Sequence, residues 1–240
     1  PARAEPIRLL LADQGASWTE DEVQLADWWS GKTDLKKKAV FGQLPRFQHG
    51  DFVLYQSNTI LRYLGRVHGI SGSNNQESAL IDMVNDGVED LRQKYSRLIF
   101  IEYETGKEKY IADLPNQLSA FERILSNNSN GTKFVVGDKI SYADYNLLDI
   151  LHCHLDLDPK SLAMFPLLSA YVERIASRPT GSTIIKYTIT YADYNLLDTL
   201  QCNLDLSPTC LSTYPLLSTW TFLQHVCPPT LYCPAMLNGY

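Results

Sequence analysis

The sequence predicts an α/β domain followed by an all-helical domain. Near the N-terminus, helical and strand patterns alternate, whereas after residue 76 the apolar residues recur almost entirely at helical spacing. Between the two regions, GISGSNNQ at residues 69–76 is the clearest linker in the chain. We therefore expect an α/β domain at 1–70 that lacks an opening strand and an all-helical domain at 77–179. At 180–240 we expect a partial repeat followed by an irregular tail.

The elements of the first domain follow from spacing and from turn residues. Apolar residues at helical spacing predict a helix over residues 7–15, which ends at a glycine. The sequence EVQL at residues 22–25 predicts a short strand. Two β-rich runs joined by the turn QHGD predict a hairpin over 46–55. From Ser57 the apolar period changes to that of a helix.

The second domain shows helix patterns and two helix-start signals. Apolar residues hold a helical period over residues 79–98, which predicts a helix of more than five turns. A second helix is predicted at about 109–125. Ser141 and Asp144 form an S-x-x-D box that starts a third helix, and Pro166 opens a fourth.

The chain repeats itself, because residues 140–169 return at 189–218 with 20 of 30 residues identical. Two copies are too few for a solenoid, which needs about three or more. A structural duplication and the joining of two interchangeable exons both stay open. One helical domain has one position for this helix, so we expect the first copy, 140–179, to occupy it. The second copy is expected to form an amphipathic helix that packs peripherally, remains mobile, or displaces the first copy in a fraction of molecules.

Composition and charge exclude several classes of protein. A net charge of −6 and a pI near 5.3 argue against a nucleic-acid-binding protein. No apolar run approaches the ~18 residues of a membrane span, and no signal peptide opens the chain. The five cysteines form no disulfide pattern, which favours the cytoplasm. His152, Cys153 and His154 suggest a metal site, but helical residues two apart do not share a face, so we predict none.

The stretch from Phe41 to Gly65 carries the main functional signal. If the Leu44–Pro45 bond is cis, the backbone groups of Leu44 face outward and can pair with an extended peptide. Ser57 stands at a helix start, where unpaired N–H groups and a partial positive charge favour a carboxylate. Taken singly, Pro45 marks a turn and Ser57 is a cap. Together they predict a site for a short peptide with a free carboxylate.

Several motifs identify a family. GQLPRF, LYQSNTILRYLGR and ALIDMVNDGVEDLRQKY, together with the later GDKISYADYNLLD and FPLLSAYVERIASRP, resemble cytosolic glutathione transferases, most closely the pi class. The resemblance covers about Arg3 to Pro179. It implies a thioredoxin-like N-terminal domain, here without its first strand, and a helical C-terminal domain. It also implies a homodimer that conjugates glutathione, a co-substrate rather than a cofactor, to small hydrophobic electrophiles.

The resemblance assigns roles in glutathione binding to individual residues. Gln56 and Ser57 correspond to the pair that receives the γ-glutamyl carboxylate. Gln43 and the backbone of Leu44 correspond to binders of the cysteinyl portion. Asp90 corresponds to the acid that reaches the γ-glutamyl amine in the partner subunit, and its alternative is a surface charge on a long helix.

Further residues acquire roles from the same resemblance. Trp28 and Lys36 correspond to residues at the glycine carboxylate, although the two lysines after Lys36 compete for that role. Arg3 corresponds to an arginine near the bound peptide. Phe100 replaces a tyrosine that lines the electrophile pocket, so its hydroxyl is missing. Phe41 corresponds to an aromatic wedge that enters the neighbouring subunit.

The sequence departs from the family at the catalytic group. In the family a tyrosine on the first strand, just upstream of the position of Arg3, stabilises the thiolate. This sequence begins about where that strand ends, so we assign no catalytic residue. Loss of one such positioned donor typically costs ~10²–10³ in rate. Two hypotheses stay open: an enzyme whose first strand lies outside this sequence, and a non-catalytic binder of glutathione or hydrophobic ligands, or a misassembled gene product.

Overall fold

An α/β segment is followed by a run of helices in the computed structural model, which describes residues 3–30, 34–178 and 196–202. The N-terminal elements are α1 (Glu5–Asp13), β1 (Trp18–Gln24), α2 (Leu25–Ser30), α3 (Leu35–Lys38), β2 (Arg46–His49), β3 (Phe52–Tyr55) and α4 (Ser57–Val67). The later elements are α5 (Asn75–Arg97), a π-helical segment (Leu98–Glu102), α6 (Tyr103–Asn127), a 3-10 turn (Ser129–Gly131), α7 (Tyr142–Leu157), α8 (Pro166–Ala176) and β4 (Leu196–Cys202). Within the described ranges, no helix is both long and apolar enough to cross a membrane.

The structure confirms the three predicted helix N-termini that carry a local sequence signal. α4 begins at Ser57, α7 follows the Ser141 box, and α8 begins at Pro166. One predicted strand and one predicted helix were too short at their N-terminal ends. β1 extends back to Trp18 through polar residues because strand pairing, not an apolar run, holds them. α6 likewise begins at Tyr103, continuing from α5 through the π-helical segment.

The four strands among the described residues form one sheet in the order β1–β4–β2–β3. β2 and β3 are the predicted antiparallel hairpin. β4 lies between β1 and β2. It runs antiparallel to β1 from the Trp18–Cys202 pair to the Gln24–Leu196 pair, and it runs parallel to β2.

The prediction that the second repeat copy forms a helix is wrong for Leu196–Cys202, which is β4. Its counterpart in the first copy, Leu147–Cys153, lies inside α7 as predicted. Every residue from Tyr142 to Leu151 is buried, so this helix depends on a surrounding shell of other helices. The first copy fills that shell. The rest of the second copy and the predicted tail lie outside the described residues.

The start of α7 is fixed by a buried carboxylate. Asp144 accepts hydrogen bonds from the backbone N–H and hydroxyl of Ser141 at 2.8 and 2.7 Å. The first of these belongs to the predicted capping box, which is present. Asp144 also accepts from the N–H of Val135 at 2.9 Å and the hydroxyl of Tyr171 at 3.0 Å. Burial raises the pKa of Asp144, while these hydrogen bonds act in the opposite direction. The carboxylate therefore joins the preceding loop and α8 to α7.

A glycine allows α4 and α7 to approach closely. A methyl group at Gly65 would overlap Cδ1 of Tyr142. Gly87, in contrast, has only one atom near such a methyl group, Cζ of Phe121 at 3.9 Å. The contact between α4 and α7 thus has no space for a side chain at Gly65.

We expect Gly65→Ala to destabilise the chain by ~1–3 kcal/mol, because the ring of Tyr142 must be displaced from a packed core. Urea unfolding followed by circular dichroism measures the change. The unsubstituted protein is the reference for this change. Equal stabilities of Gly65→Ala and the unsubstituted protein would contradict the close approach of the two helices.

His154 is a buried, neutral histidine. Nδ1–H donates to the carbonyl of Ile150 at 2.6 Å, so Nε2 accepts from the hydroxyl of Tyr110 at 2.7 Å. Burial lowers its pKa from 6.5 to about 4. The three-residue metal cluster suggested by the sequence thus contains a histidine whose two nitrogens already have partners.

The stability contributed by neutral His154 should be complete above pH 6.5 and lost as the pH falls toward 4, because the unfolded chain takes up the proton first. The loss amounts to roughly 3 kcal/mol. His154→Asn, the residue that the second copy carries as Asn203, removes the titrating group. The variant should show a flatter curve of unfolding free energy against pH between 4 and 7. Parallel curves for the two proteins would disprove this role of His154.

Candidate functional site

The loop before β2 and the start of α4 bring two predicted residues together. Nε2 of Gln56 donates to Oε1 of Gln43 at 3.0 Å, and both side chains are exposed. The Leu44–Pro45 peptide bond, which lies between them in the sequence, is cis. Gln43, Leu44 and Gln56 therefore line one edge of the α/β segment.

The chain turns sharply into α4. Gln56 has φ 73° and ψ 112°, a region that residues other than glycine rarely occupy and that costs ~1–3 kcal/mol. Ser57, the first residue of α4, is 7% exposed. The Gln56 side chain does not cap the helix. The first-turn N–H groups of α4 thus lie beside the Gln43–Gln56 pair, and they carry the partial positive charge of the helix start.

A small second core joins three elements around this edge. Val23 of β1, Trp28 of α2 and Ala39 are buried together, and the partly buried side chains packed against them are Leu35, Leu44 and Tyr55. Leu44 and Trp28, two residues of the predicted site, are thus held in one cluster. The ring of Trp28 is itself 4% exposed, so it acts mainly as packing.

Lys36 is the lysine of α3 that approaches this core. Its Nζ lies 3.8 Å from the ring centroid of Trp29 and 6.0 Å from that of Trp28. Lys37 instead lies 3.9 Å from Asp34 in an exposed pair. Of these two lysines, Lys36 is therefore the one that lies beside Trp28, and its role in binding stays a prediction.

Arg3 is connected to the start of α4 through the carboxylate of Glu89. Its Nη1 is 2.8 Å from Oε1 of Glu89 on α5. Glu89 also accepts a hydrogen bond from Nδ2 of Asn58 at 3.2 Å. Arg3 is thereby linked to the residue that follows Ser57. The pair is partly exposed, so its contribution to stability is small.

Sequence reasoning missed a buried polar network behind Ser57. Oδ1 of Asn58 accepts from Asn85 at 3.1 Å, and Oδ1 of Asn85 accepts from Asn146 at 2.9 Å. Arg92 donates to Asn146 at 2.8 Å and pairs with Asp149 at 2.6 Å. The available signal was the spacing of Asn85 and Arg92. They lie seven residues apart on the apolar face of α5, where polar residues need buried partners.

The remaining predicted residues do not join this cluster in the described chain. Phe41 is 63% exposed, and Phe100, in the π-helical segment, is 60% exposed. Asp90 is exposed on α5, where it lines a groove of about 250 Å³ between α5 and α6. Met83 and Phe121 line the same groove. Phe41, Phe100 and Asp90 therefore lie on surfaces other than the one that carries the Gln43–Gln56 pair.

Comparisons with known proteins agree with the order of the two segments. Residues 1–66 match the model of the glutathione S-transferase N-terminal domain, and residues 89–187 match that of the C-terminal domain. The chain is 72% identical over 184 residues to glutathione S-transferase P 1 of Xenopus laevis, covering 77% of this chain and 87% of that protein. It is 57% identical over 177 residues to glutathione S-transferase P of Homo sapiens, covering 74% and 83%.

A solved structure supports the same assignment. The pi-class glutathione S-transferase of Onchocerca volvulus has a TM-score of 0.71 and 41% identity to this chain, covering 77% of this chain and 87% of that one. The chain belongs to the glutathione S-transferases, a family of enzymes that use glutathione as a co-substrate and need no prosthetic cofactor. Within this family its relatives are of the pi class. The predicted thioredoxin-like domain followed by a helical domain is thereby confirmed.

Proposed function

We propose that this chain conjugates the thiol of glutathione to small hydrophobic electrophiles in the cytoplasm. The proposal rests on one observation above all: the paired amides of Gln43 and Gln56 lie beside the uncapped start of α4. The cytoplasmic location is inferred from the cysteine spacing, which matches no disulfide framework.

The γ-glutamyl end of glutathione carries a carboxylate that suits the start of α4. The hydroxyl of Ser57 and the first-turn N–H groups donate to it, and hydrogen bonds to a charged acceptor are the stronger kind. The Gln43–Gln56 bond uses one donor of Gln56 and one acceptor site of Gln43. The amide group of Gln43 still has N–H donors for the ligand.

The cysteinyl and glycine portions extend across the same edge. The backbone of Leu44 pairs with the extended peptide, as a short added strand would. Lys36 supplies the positive charge for the glycine carboxylate. In the structure its ammonium lies over Trp29, a contact worth only ~0.5–1 kcal/mol at an exposed site. Replacement of this contact by one to the glycine carboxylate therefore costs little free energy.

The electrophile is assigned to the surface around Phe100. Phe100, Ile101 and Tyr103 are exposed apolar or aromatic residues at the junction of the π-helical segment and α6. Such a surface attracts hydrophobic molecules rather than charged ones.

Ser57→Ala should weaken retention on immobilised glutathione by ~1.5–3 kcal/mol, because one charge-assisted hydrogen bond is lost. Titration calorimetry with free glutathione gives the affinity directly. Thr59→Ala, an exposed change in the same turn of α4, is the matched control and should leave the affinity unchanged. Unchanged affinity of Ser57→Ala would remove this assignment. Binding without turnover of a generic aryl halide would favour the non-catalytic binder.

The homodimer is proposed to form through Phe41. Its ring is exposed, and the groove lined by Met83, Gly87, Asp90 and Phe121 offers an apolar receptor on a second copy. An aromatic ring that fills such a groove contributes much of an interface's free energy. Asp90 would then face the neighbouring subunit, as the resemblance implied.

Phe41→Ala should weaken the dimer by ~3–5 kcal/mol, since a buried aromatic side chain is removed. Sedimentation velocity at low micromolar concentration should then show monomers. Phe100→Ala, a similarly exposed phenylalanine, is the control and should sediment like the unsubstituted protein. A dimer that persists unchanged in Phe41→Ala would refute the wedge.

A further inference from the structure

Three asparagine side chains connect the helical core to the first turn of α4. Nδ2 of Asn146 on α7 donates to Oδ1 of Asn85 on α5 at 2.9 Å, and Nδ2 of Asn85 donates to Oδ1 of Asn58 on α4 at 3.1 Å. Asn146 also donates to Oδ1 of Asn58 at 3.3 Å. Asn85 and Asn146 are 0% and 2% exposed, so bulk water cannot replace these contacts. Three helices are thus joined by these three residues, which we call the asparagine chain.

Charged groups at its two ends fix the direction in which the asparagine chain donates. At the inner end, Arg92 donates to Oδ1 of Asn146 at 2.8 Å, and a guanidinium can only donate. At the outer end, Nδ2 of Asn58 donates to Glu89 at 3.2 Å, and an ionised carboxylate can only accept. Each amide has one accepting and one donating end. Only one orientation of the three amides therefore leaves no donor facing a donor and no acceptor facing an acceptor.

The outer end of the asparagine chain holds the turn that carries Ser57. Ser57 and Asn58 are the first two residues of α4, so a displacement of the Asn58 side chain would also move the hydroxyl of Ser57 and the first-turn N–H groups. Gln56, just before them, has a φ of 73°, a conformation that persists only where the surrounding structure holds it. Binding groups must stay within about 0.5 Å of their productive positions. The asparagine chain is the buried support that this turn has on its inner side.

Packing alone does not explain three asparagines at this place. Buried amides are costly unless each is hydrogen-bonded, and apolar side chains of similar size would fill the same space without that cost. A fully satisfied polar network adds what apolar packing lacks, namely one specified arrangement of the side chains it joins. The asparagine chain therefore fixes the position of the first turn of α4 as well as filling the core.

We propose that Asn146 and Asn85 are positioning residues for glutathione, which hold the first turn of α4 through Asn58. Both are buried, so they act without contacting the ligand. Because coupling between two equilibria is reciprocal, bound glutathione must stabilise the asparagine chain by the same factor by which the chain strengthens binding. This inference rests on the proposed function.

Asn146→Asp tests the direction of the asparagine chain. The carboxylate still accepts from Arg92, but it cannot donate to Asn85 or Asn58. The two remaining amides must then turn round, and Asn58 would present its oxygen to the carboxylate of Glu89. We expect titration calorimetry to show that glutathione binds at least about fivefold more weakly to this variant.

Asn75→Asp is the matched control, because it makes the same change at the exposed first residue of α5, and it should bind glutathione normally. Circular dichroism shows whether each variant is folded at the temperature of the titration. A loss of stability alone leaves the affinity of the folded molecules unchanged, so the affinity separates positioning from packing. Equal affinity of folded Asn146→Asp and the unsubstituted protein would overturn the inference and leave the site intact.

Hydrogen exchange of the side-chain amides in the unsubstituted chain, read by NMR, decides if Asn146→Asp does not fold. The reference is Asn128, whose Nδ2 donates to two backbone carbonyls outside the asparagine chain. Saturating glutathione should slow exchange at Asn85 by about fivefold or more relative to Asn128. No slowing, or equal slowing at both residues, would overturn the inference. Failure of the unsubstituted chain to bind glutathione would instead overturn the proposed function, and the inference with it.

Discussion

The buried carboxylate of Asp144 is the interaction on which the helical packing depends. It determines where α7 begins through Ser141, and it holds the preceding loop and α8 through Val135 and Tyr171. α7 in this position is the surface against which α1, α4, α5 and α8 pack. A carboxylate is tolerated at this depth because several donors satisfy it, and loss of one would leave a costly buried acceptor.

The geometry of the proposed site is inherited from this core. α7 carries Asn146, which bonds to Asn85 on α5, and Asn85 bonds to Asn58 in the first turn of α4. Ser57 directly precedes Asn58 in the same turn. The α4 start is thus held by buried hydrogen bonds from behind, while its front faces the Gln43–Gln56 pair. Rigid support of this kind keeps the first turn of α4 in a constant geometry, which a binding site requires.

The sequence predicted those features that have a local cause. The helix starts at Ser57, Ser141 and Pro166 carry their own signals, and the family was identified from short motifs that the comparisons bear out. The asparagine network was missed because its partners lie far apart in the chain. β4 could not be predicted, since nearly the same seven residues are helical in α7. There, the surroundings decide between helix and strand.

The close contact at Gly65 has a mechanical consequence. Because α4 and α7 meet with no clearance for even a methyl group, they cannot slide past each other or rock together at this point. Hinge closure of the α/β segment onto the helices would need free space at the contact between α4 and α7. The contact at Gly65 leaves no such space. Adjustment to ligands of different size must therefore come from surface segments away from the α4–α7 contact, while the two packed helices keep a constant separation.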